Sequence, residues 1–135
     1  MGIFLFKTEP STYSYADLVR DKRAVWDGVS NPVALRHLAS LAKGDTVVIY
    51  HTGDEKSAVG LAKAMKDPYP DPKLGDPKRL VTDLAPERAL PTPVTLAQVK
   101  ADAVLKTSEL ARLPRLSIMP LTAAQFRRLL ELAGA

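Results

Sequence analysis

No cysteine occurs among the 135 residues, which excludes disulfides and thiolate metal sites and makes an intracellular, cytoplasmic setting the expected one. Histidine occurs only twice, at His37 and His51, on what read as separate elements, so no spacing forces a shared metal site. The Gly-x-Ser-x-Gly elbow, the Gly-rich phosphate loop and the His-Glu-x-x-His pair are absent, so the common hydrolase, nucleotidase and metalloprotease signatures are missing. Long apolar runs are also missing. The stretch 46–50 is far too short to span a bilayer, and the opening Met-Gly-Ile-Phe-Leu-Phe-Lys lacks the basic start and long apolar region of a signal peptide. No internal repeat or low-complexity tract is present. The expectation is a monomeric binding domain without catalysis, cofactor, metal or membrane partner.

The composition that remains, 46% hydrophobic and 25% charged, is that of a globular domain, and the length suits one domain over 1–135 with a single core. A net charge of +4 and a pI near 9.4 are compatible with a polyanionic partner. The cations are spread along the chain, so a mildly basic solvated surface explains them equally well.

The apolar run 3–6 predicts a buried strand that ends at Lys7-Thr8-Glu9-Pro10, because Pro10 cannot donate to a ladder. Ser14 and Asp17 have capping-box spacing and predict a short helix to about Arg20. Asn31-Pro32 opens a second helix, since Asn is a preferred N-cap and Pro suits the first helical position; its apolar stripe of Ala34, Leu38, Leu41 and Ala42 runs towards Gly44. Strands are predicted over 46–51, 57–66, 78–84 and 115–119. Pro68, Pro70, Pro72 and Pro77 mark an irregular loop, and 85–90 continues the third of these strands only past a bend at Pro86. Helices are predicted from Thr95, over 107–113, and from Thr122 to Gly134, where Thr122 and Gln125 form a capping box. Strands mixed with short helices, without a regular alternation, predict an α+β fold: a twisted or barrel-like sheet of about five strands with helices around it.

Within this frame the segment Val25-Trp-Asp-Gly-Val-Ser-Asn31 combines the single Trp, a glycine turn and a helix start. An aromatic plate, a bare turn and exposed helix amides suit a flat polar or anionic ligand, although a lone Trp is also a common core residue. Thr8, Glu9, Asn31, Tyr50 and Thr52 add polar groups at element ends, where binding sites are commonly built. A nucleobase fits such a pocket, needing a π-face and hydrogen bonds along its edge. His51 is readable as a proton donor or as a loop histidine bonded to backbone, and Glu9 as a general base or a turn cap.

Phe-Lys-Thr-Glu-Pro (6–10), Trp-Asp-Gly-Val-Ser-Asn (26–31), Gly-Asp (44–45), Tyr-His-Thr-Gly (50–53), Val-Gly-Leu-Ala (59–62), Tyr-Pro-Asp-Pro (69–72), Pro-Val-Thr-Leu (93–96) and Arg-Leu-Ser-Ile-Met-Pro (115–120) follow one another in an order that resembles an EVE domain. The resemblance implies a PUA-like mixed β-barrel flanked by short helices, related in fold to YTH and ASCH domains. It also implies a non-catalytic reader of DNA or RNA whose pocket accepts a modified, for instance methylated, base. Carried onto this chain, the site comprises Lys7, Thr8, Glu9 and Pro10, then Trp26, Gly28, Val29, Ser30 and Asn31, then Tyr50, His51 and Thr52, with Ser117 approaching from the last strand. Trp26 would be the stacking wall, and Thr8, Asn31 and Thr52 the edge contacts. Ser30 and Leu35 stand where the family commonly has Arg, with Arg36 as the available substitute. The missing cations favour a second reading, a free modified nucleoside or nucleotide as ligand. A third is an enzyme using Glu9 and His51.

Overall fold

Among the described residues, four of the five α-helices begin at a short polar side chain that closes on backbone amides. The computed structural model, which describes residues 2–135, places Ser14 before α1 (Tyr15–Asp21), Asn31 before α2 (Pro32–Ala39), Thr95 before α3 (Leu96–Ala101) and Thr122 before α5 (Ala123–Ala133). Each accepts from an amide of the first turn, and Ser14, Thr95 and Thr122 complete reciprocal capping boxes with Asp17, Gln98 and Gln125. The fifth, α4 (Glu109–Arg112), is a single turn after a 3-10 turn at Leu105–Thr107 and has no side-chain cap. It takes the place of the helix expected over 107–113.

The strands are β1 (Ile3–Thr8), β2 (Ala24–Trp26), β3 (Thr46–His51), β4 (Ser57–Ala64), β5 (Tyr69–Pro70), β6 (Leu80–Thr95) and β7 (Ile118–Pro120). They form one sheet in the order β2-β6-β4-β3-β1-β7, with β5 on β6; among the described residues only β1 and β3 run parallel. Seven strands therefore replace the five expected. The two additional ones, β2 and β5, are too short to show a period of two in the sequence. β6 runs on through Pro86, Pro91 and Pro93. Its register against β4 jumps from Gly60↔Ala89 to Ala58↔Val94, so Pro91 and Pro93 lie in a bulge where no ladder amide is needed. The last strand is Ile118–Pro120, shorter and later than the expected 115–119, and Pro120 stands opposite Phe4. Helix α2 stops at Ala39, before the expected Gly44, because Ser40 and Leu41 tighten to three-residue bonds and the buried Asp45 carboxylate holds the Ala42 amide.

Leu5, Phe6, Leu18, Leu38, Ile49, Leu61, Leu84, Ile118, Met119 and Leu129 are fully enclosed, each such side chain contributing roughly 1.5–3 kcal/mol by burial. Helix α1 is fixed by two bonds to the sheet: its Tyr15 hydroxyl donates to the Leu61 carbonyl (2.7 Å), and its first amide donates to His51 Nε2 (3.0 Å). Gly60 is required beneath it, since any Cβ there would run into the Tyr15 ring. β2 and β1 are four places apart in the sheet, yet Trp26 packs on Phe6 with ring centroids 6.0 Å apart. The sheet must therefore curl into an incomplete barrel whose seam lies between β2 and the β1–β7 pair. No helix is long and apolar enough to cross a membrane among the described residues.

Candidate nucleobase site at the barrel seam

The seam is where the candidate site is built. Trp26 ends the edge strand β2, and Gly28 at φ 78° turns the chain into the Asn31 cap of α2. A positive φ is ordinary for glycine and strained for other residues. Arg79 Nε donates to the Val29 carbonyl (3.1 Å) and pins this turn from β6's leading edge. The half-buried indole is flanked by Phe6, tilted at 53°, and by Tyr13, edge-on at 6.1 Å between centroids. Both geometries are favourable aromatic packing.

Two cavities meet at this indole. One of about 460 Å³ is lined by Lys7, Thr8, Glu9, Thr12, Tyr13 and the segment 24–27. The other, about 190 Å³, is lined by Lys7, Trp26 to Asn31, Ser117 and Ile118. The larger lies within the roughly 300–1,000 Å³ range of small-molecule sites. Lys7, Trp26 and Asp27 line both, so the indole is a wall between them.

Several polar groups here already have partners. The Thr8 hydroxyl donates to the Tyr13 carbonyl (2.6 Å), and Glu9 Oε2 accepts from the Ser11 amide and hydroxyl (2.8 and 2.9 Å), which makes Glu9 a turn cap. Asn31 Oδ1 accepts from the Val33 and Ala34 amides (2.9 and 3.1 Å). The Tyr13 phenol is pushed up to about 12 by burial and by its hydrogen bond to Asp21. Burial also lowers the Lys7 ammonium below the usual lysine range, although it still donates to the Pro114 carbonyl (2.9 Å). Other groups are free. Among the described residues, Trp26 Nε1, Asn31 Nδ2 and the Asp27 carboxylate have no hydrogen-bond partner. The arrangement thus offers an aromatic face with donors and acceptors around it.

The structure brings Lys7, Thr8, Glu9, Trp26, Gly28, Val29, Ser30, Asn31 and Ser117 to these two cavities. Tyr50 and Thr52 line a third cavity, which also includes Lys7. Pro10 and Arg36 line none of the three, and Arg36 is solvent-exposed. His51 is buried under α1 with both ring nitrogens engaged: Nε2 accepts from Tyr15, so Nδ1 carries the proton and faces Glu55 Oε1 at 3.1 Å. Thr12 and Tyr13 are lining residues that sequence reasoning missed. The available signal was the Glu9-Pro-Ser-Thr-Tyr13 turn, in which the Glu9 carbonyl accepts from both the Thr12 and Tyr13 amides and brings Tyr13 back over Trp26.

The sequence pattern of the EVE domain matches residues 2–132. Thymocyte nuclear protein 1 of Mus musculus is 28% identical over 96% of this chain and 72% of its own length. A protein of Rhodopseudomonas palustris solved by NMR is 34% identical and superposes with a TM-score of 0.94 over 99% of this chain and 94% of that one. The human THYN1 protein, solved in complex with DNA containing 5-methylcytosine, is 28% identical with a TM-score of 0.91 over 100% and 99% of the two chains. An ASCH protein of Zymomonas mobilis, 13% identical with a TM-score of 0.58 over 96% and 94%, shares the fold alone. The α+β, PUA-like architecture expected from the sequence is the one observed.

Proposed function

From the premise that the chain belongs to the EVE domain family, we propose that it is a non-catalytic reader of nucleic acid that holds a modified base against Trp26 at the barrel seam. The observation that carries this reading is the indole standing between two cavities, with Asn31 Nδ2 and the Asp27 carboxylate unpartnered near it. An extruded base would stack on the ring and satisfy those groups along its edge, as single-stranded and flipped bases do elsewhere. The human relative's complex with 5-methylcytosine DNA supports this choice of ligand. The chain acts as a monomer in this reading, and expression in the cytoplasm is part of it.

A free modified nucleoside is the second reading, favoured by Glu9 and Asp27 lining the larger cavity and by Ser30 and Leu35 in place of cations. Trp26 is the only Trp, so its fluorescence reports on the proposed wall directly. Oligonucleotides with 5-methylcytosine, as DNA and as RNA, should quench it at lower concentration than unmodified ones, and added salt should weaken that binding steeply through counterion release. Equal quenching by modified and unmodified strands would overturn the modified-base reading. Salt-independent binding of the nucleoside, with no gain from the strand, would favour the second.

A further inference from the structure

The third cavity lies on the other side of Lys7 and has a different character. Side chains alternate along β1, so Lys7 leaves the sheet on the face opposite Phe6 and Thr8, in register with Tyr50 of β3. Its ammonium stands 5.8 Å from the centre of the Tyr50 ring, and its bond to the Pro114 carbonyl leaves two of three donors unused. The cavity there is about 350 Å³, with Lys7, Lys56 and Lys100 around it, Thr52 at its rim and Leu96 and Leu110 behind. No carboxylate lines it, whereas the cavity beside Trp26 sets Glu9 and Asp27 against Lys7. The nearby Glu9 and Glu55 are engaged by Ser11 and His51. Tyr50 is largely buried, and its hydroxyl, which makes no hydrogen bond among the described residues, is not itself enclosed and is open to the cavity that Tyr50 lines. Burial raises its pKa, so it remains a donor.

We infer that this lysine cavity is an anion site that holds a phosphate of the bound strand next to the nucleotide whose base enters the Trp26 cavity. The inference rests on the reader function proposed above. Lys7 lines both cavities and is the bridge between them, as a sugar bridges base and phosphate in the ligand. Three lysines line this cavity with no carboxylate among its lining residues, so a phosphate there takes charge-assisted bonds from them and from the Tyr50 hydroxyl. The two cavities thereby divide the work: carboxylates and an indole for a base, lysines and a phenol for the backbone.

The test uses the full chain and a Lys56→Gln/Lys100→Gln variant; both side chains are exposed and neither lines the Trp26 cavity. Inorganic phosphate, titrated by two-dimensional NMR, should shift the Thr52 and Gly53 amides of the native protein and leave them in place in the variant. Affinity for single-stranded DNA containing 5-methylcytosine should fall about tenfold in the variant, and the slope of log K against log salt should become shallower by about one to two, as expected for lost phosphate contacts. Affinity for the free 5-methylated nucleoside should not change. The inference is overturned if phosphate leaves Thr52 and Gly53 unmoved in the native protein. It is equally overturned if phosphate moves them but the variant keeps native strand affinity and salt slope, since the site then takes free phosphate and not the strand. Should neither nucleoside nor strand bind while phosphate still shifts both amides, the reader function falls and the anion site stands.

Discussion

The two ends of the three-residue strand β2 have opposite chemistry. Before it, Arg23 donates to Asp83 Oδ2 through Nε (3.1 Å) and Nη2 (3.0 Å), and the Tyr69 hydroxyl donates to Asp83 Oδ1 (2.5 Å). Both carboxylate oxygens are occupied, and Lys66 lies over the Tyr69 ring. After it, Trp26 and Asp27 face cavities with their polar atoms unused. Buried polar groups are normally satisfied, so the saturated end reads as a clamp that fixes β2 and β5 on β6, whereas the half-buried Trp26 and the exposed Asp27 leave their polar atoms open to the cavities. Charge alone would have pointed the other way, because the cations of the Arg23 end lie around a groove of their own.

Trp26→Ala tests this contrast with the largest expected effect. A base stacked on an aromatic side chain gains roughly 1–3 kcal/mol, so affinity for a modified oligonucleotide, read by anisotropy of a labelled strand, should fall about 5- to 150-fold. The urea midpoint should fall too, by the equivalent of roughly 2–4 kcal/mol, because the indole packs on Phe6 and Tyr13. Asp83→Ala should do the reverse. It strands the Tyr69 hydroxyl and the Arg23 guanidinium at a cost of roughly 1–3 kcal/mol and should leave affinity within twofold. A large loss of affinity in Asp83→Ala would merge the two ends into one site.

His51→Ala sharpens the same distinction within the Tyr50-His51-Thr52 segment. Losing Nε2 leaves the first amide of α1 without its acceptor, which costs roughly 1–3 kcal/mol, and neither oligonucleotide affinity nor nucleoside turnover should respond. Turnover present in the native protein and lost in this variant would restore the enzyme reading with Glu9 and His51.

What was legible in the sequence follows from range. The caps at Ser14, Asn31, Thr95 and Thr122 act over three residues and were readable as they stand. The run 3–6 and the β-branched 46–51 are enclosed on both faces, so their pattern was strong. Strands β2 and β5 owe their existence to β6, a partner distant in sequence, and β6 itself crosses prolines by bulging, which no local pattern encodes. At the site, Trp26, Gly28 and Asn31 were legible because turn and cap chemistry is local. That Trp26 would meet Phe6 was not, since this needs the sheet to curl across three intervening strands. Thr8 lines the Trp26 cavity whereas its neighbour Lys7 also lines the lysine cavity, a difference that follows from strand alternation once β1 is known to have space on both faces at its end.

The smallest effect, and the most specific to the saturated end, is in the titration of its phenol. The hydrogen bond to Asp83, followed by burial and the carboxylate charge, pushes Tyr69 up to about 12, from an ordinary phenol near 10. A folded state that holds the proton more tightly than the unfolded chain is favoured below about pH 10, and that contribution is lost as the pH rises from about 10 through about 12. Asp83 works with the opposite sign. Burial raises it, but the hydrogen bonds from Tyr69 and Arg23 and the charge of Lys66 outweigh burial and hold it below the usual carboxylate range. Its contribution is therefore present above about pH 4 and lost in acid. In an absorbance titration of phenolate, Tyr69→Phe should remove one of the late transitions and leave that of Tyr13, which Asp21 and burial also hold near about 12. Asp83→Asn should move the Tyr69 transition back towards about 10 and flatten the loss of stability in acid. An unchanged phenolate curve in Asp83→Asn would mean that the Tyr69–Asp83 bond does not govern this end of β2, and the contrast with the Trp26 end would lose its fixed half.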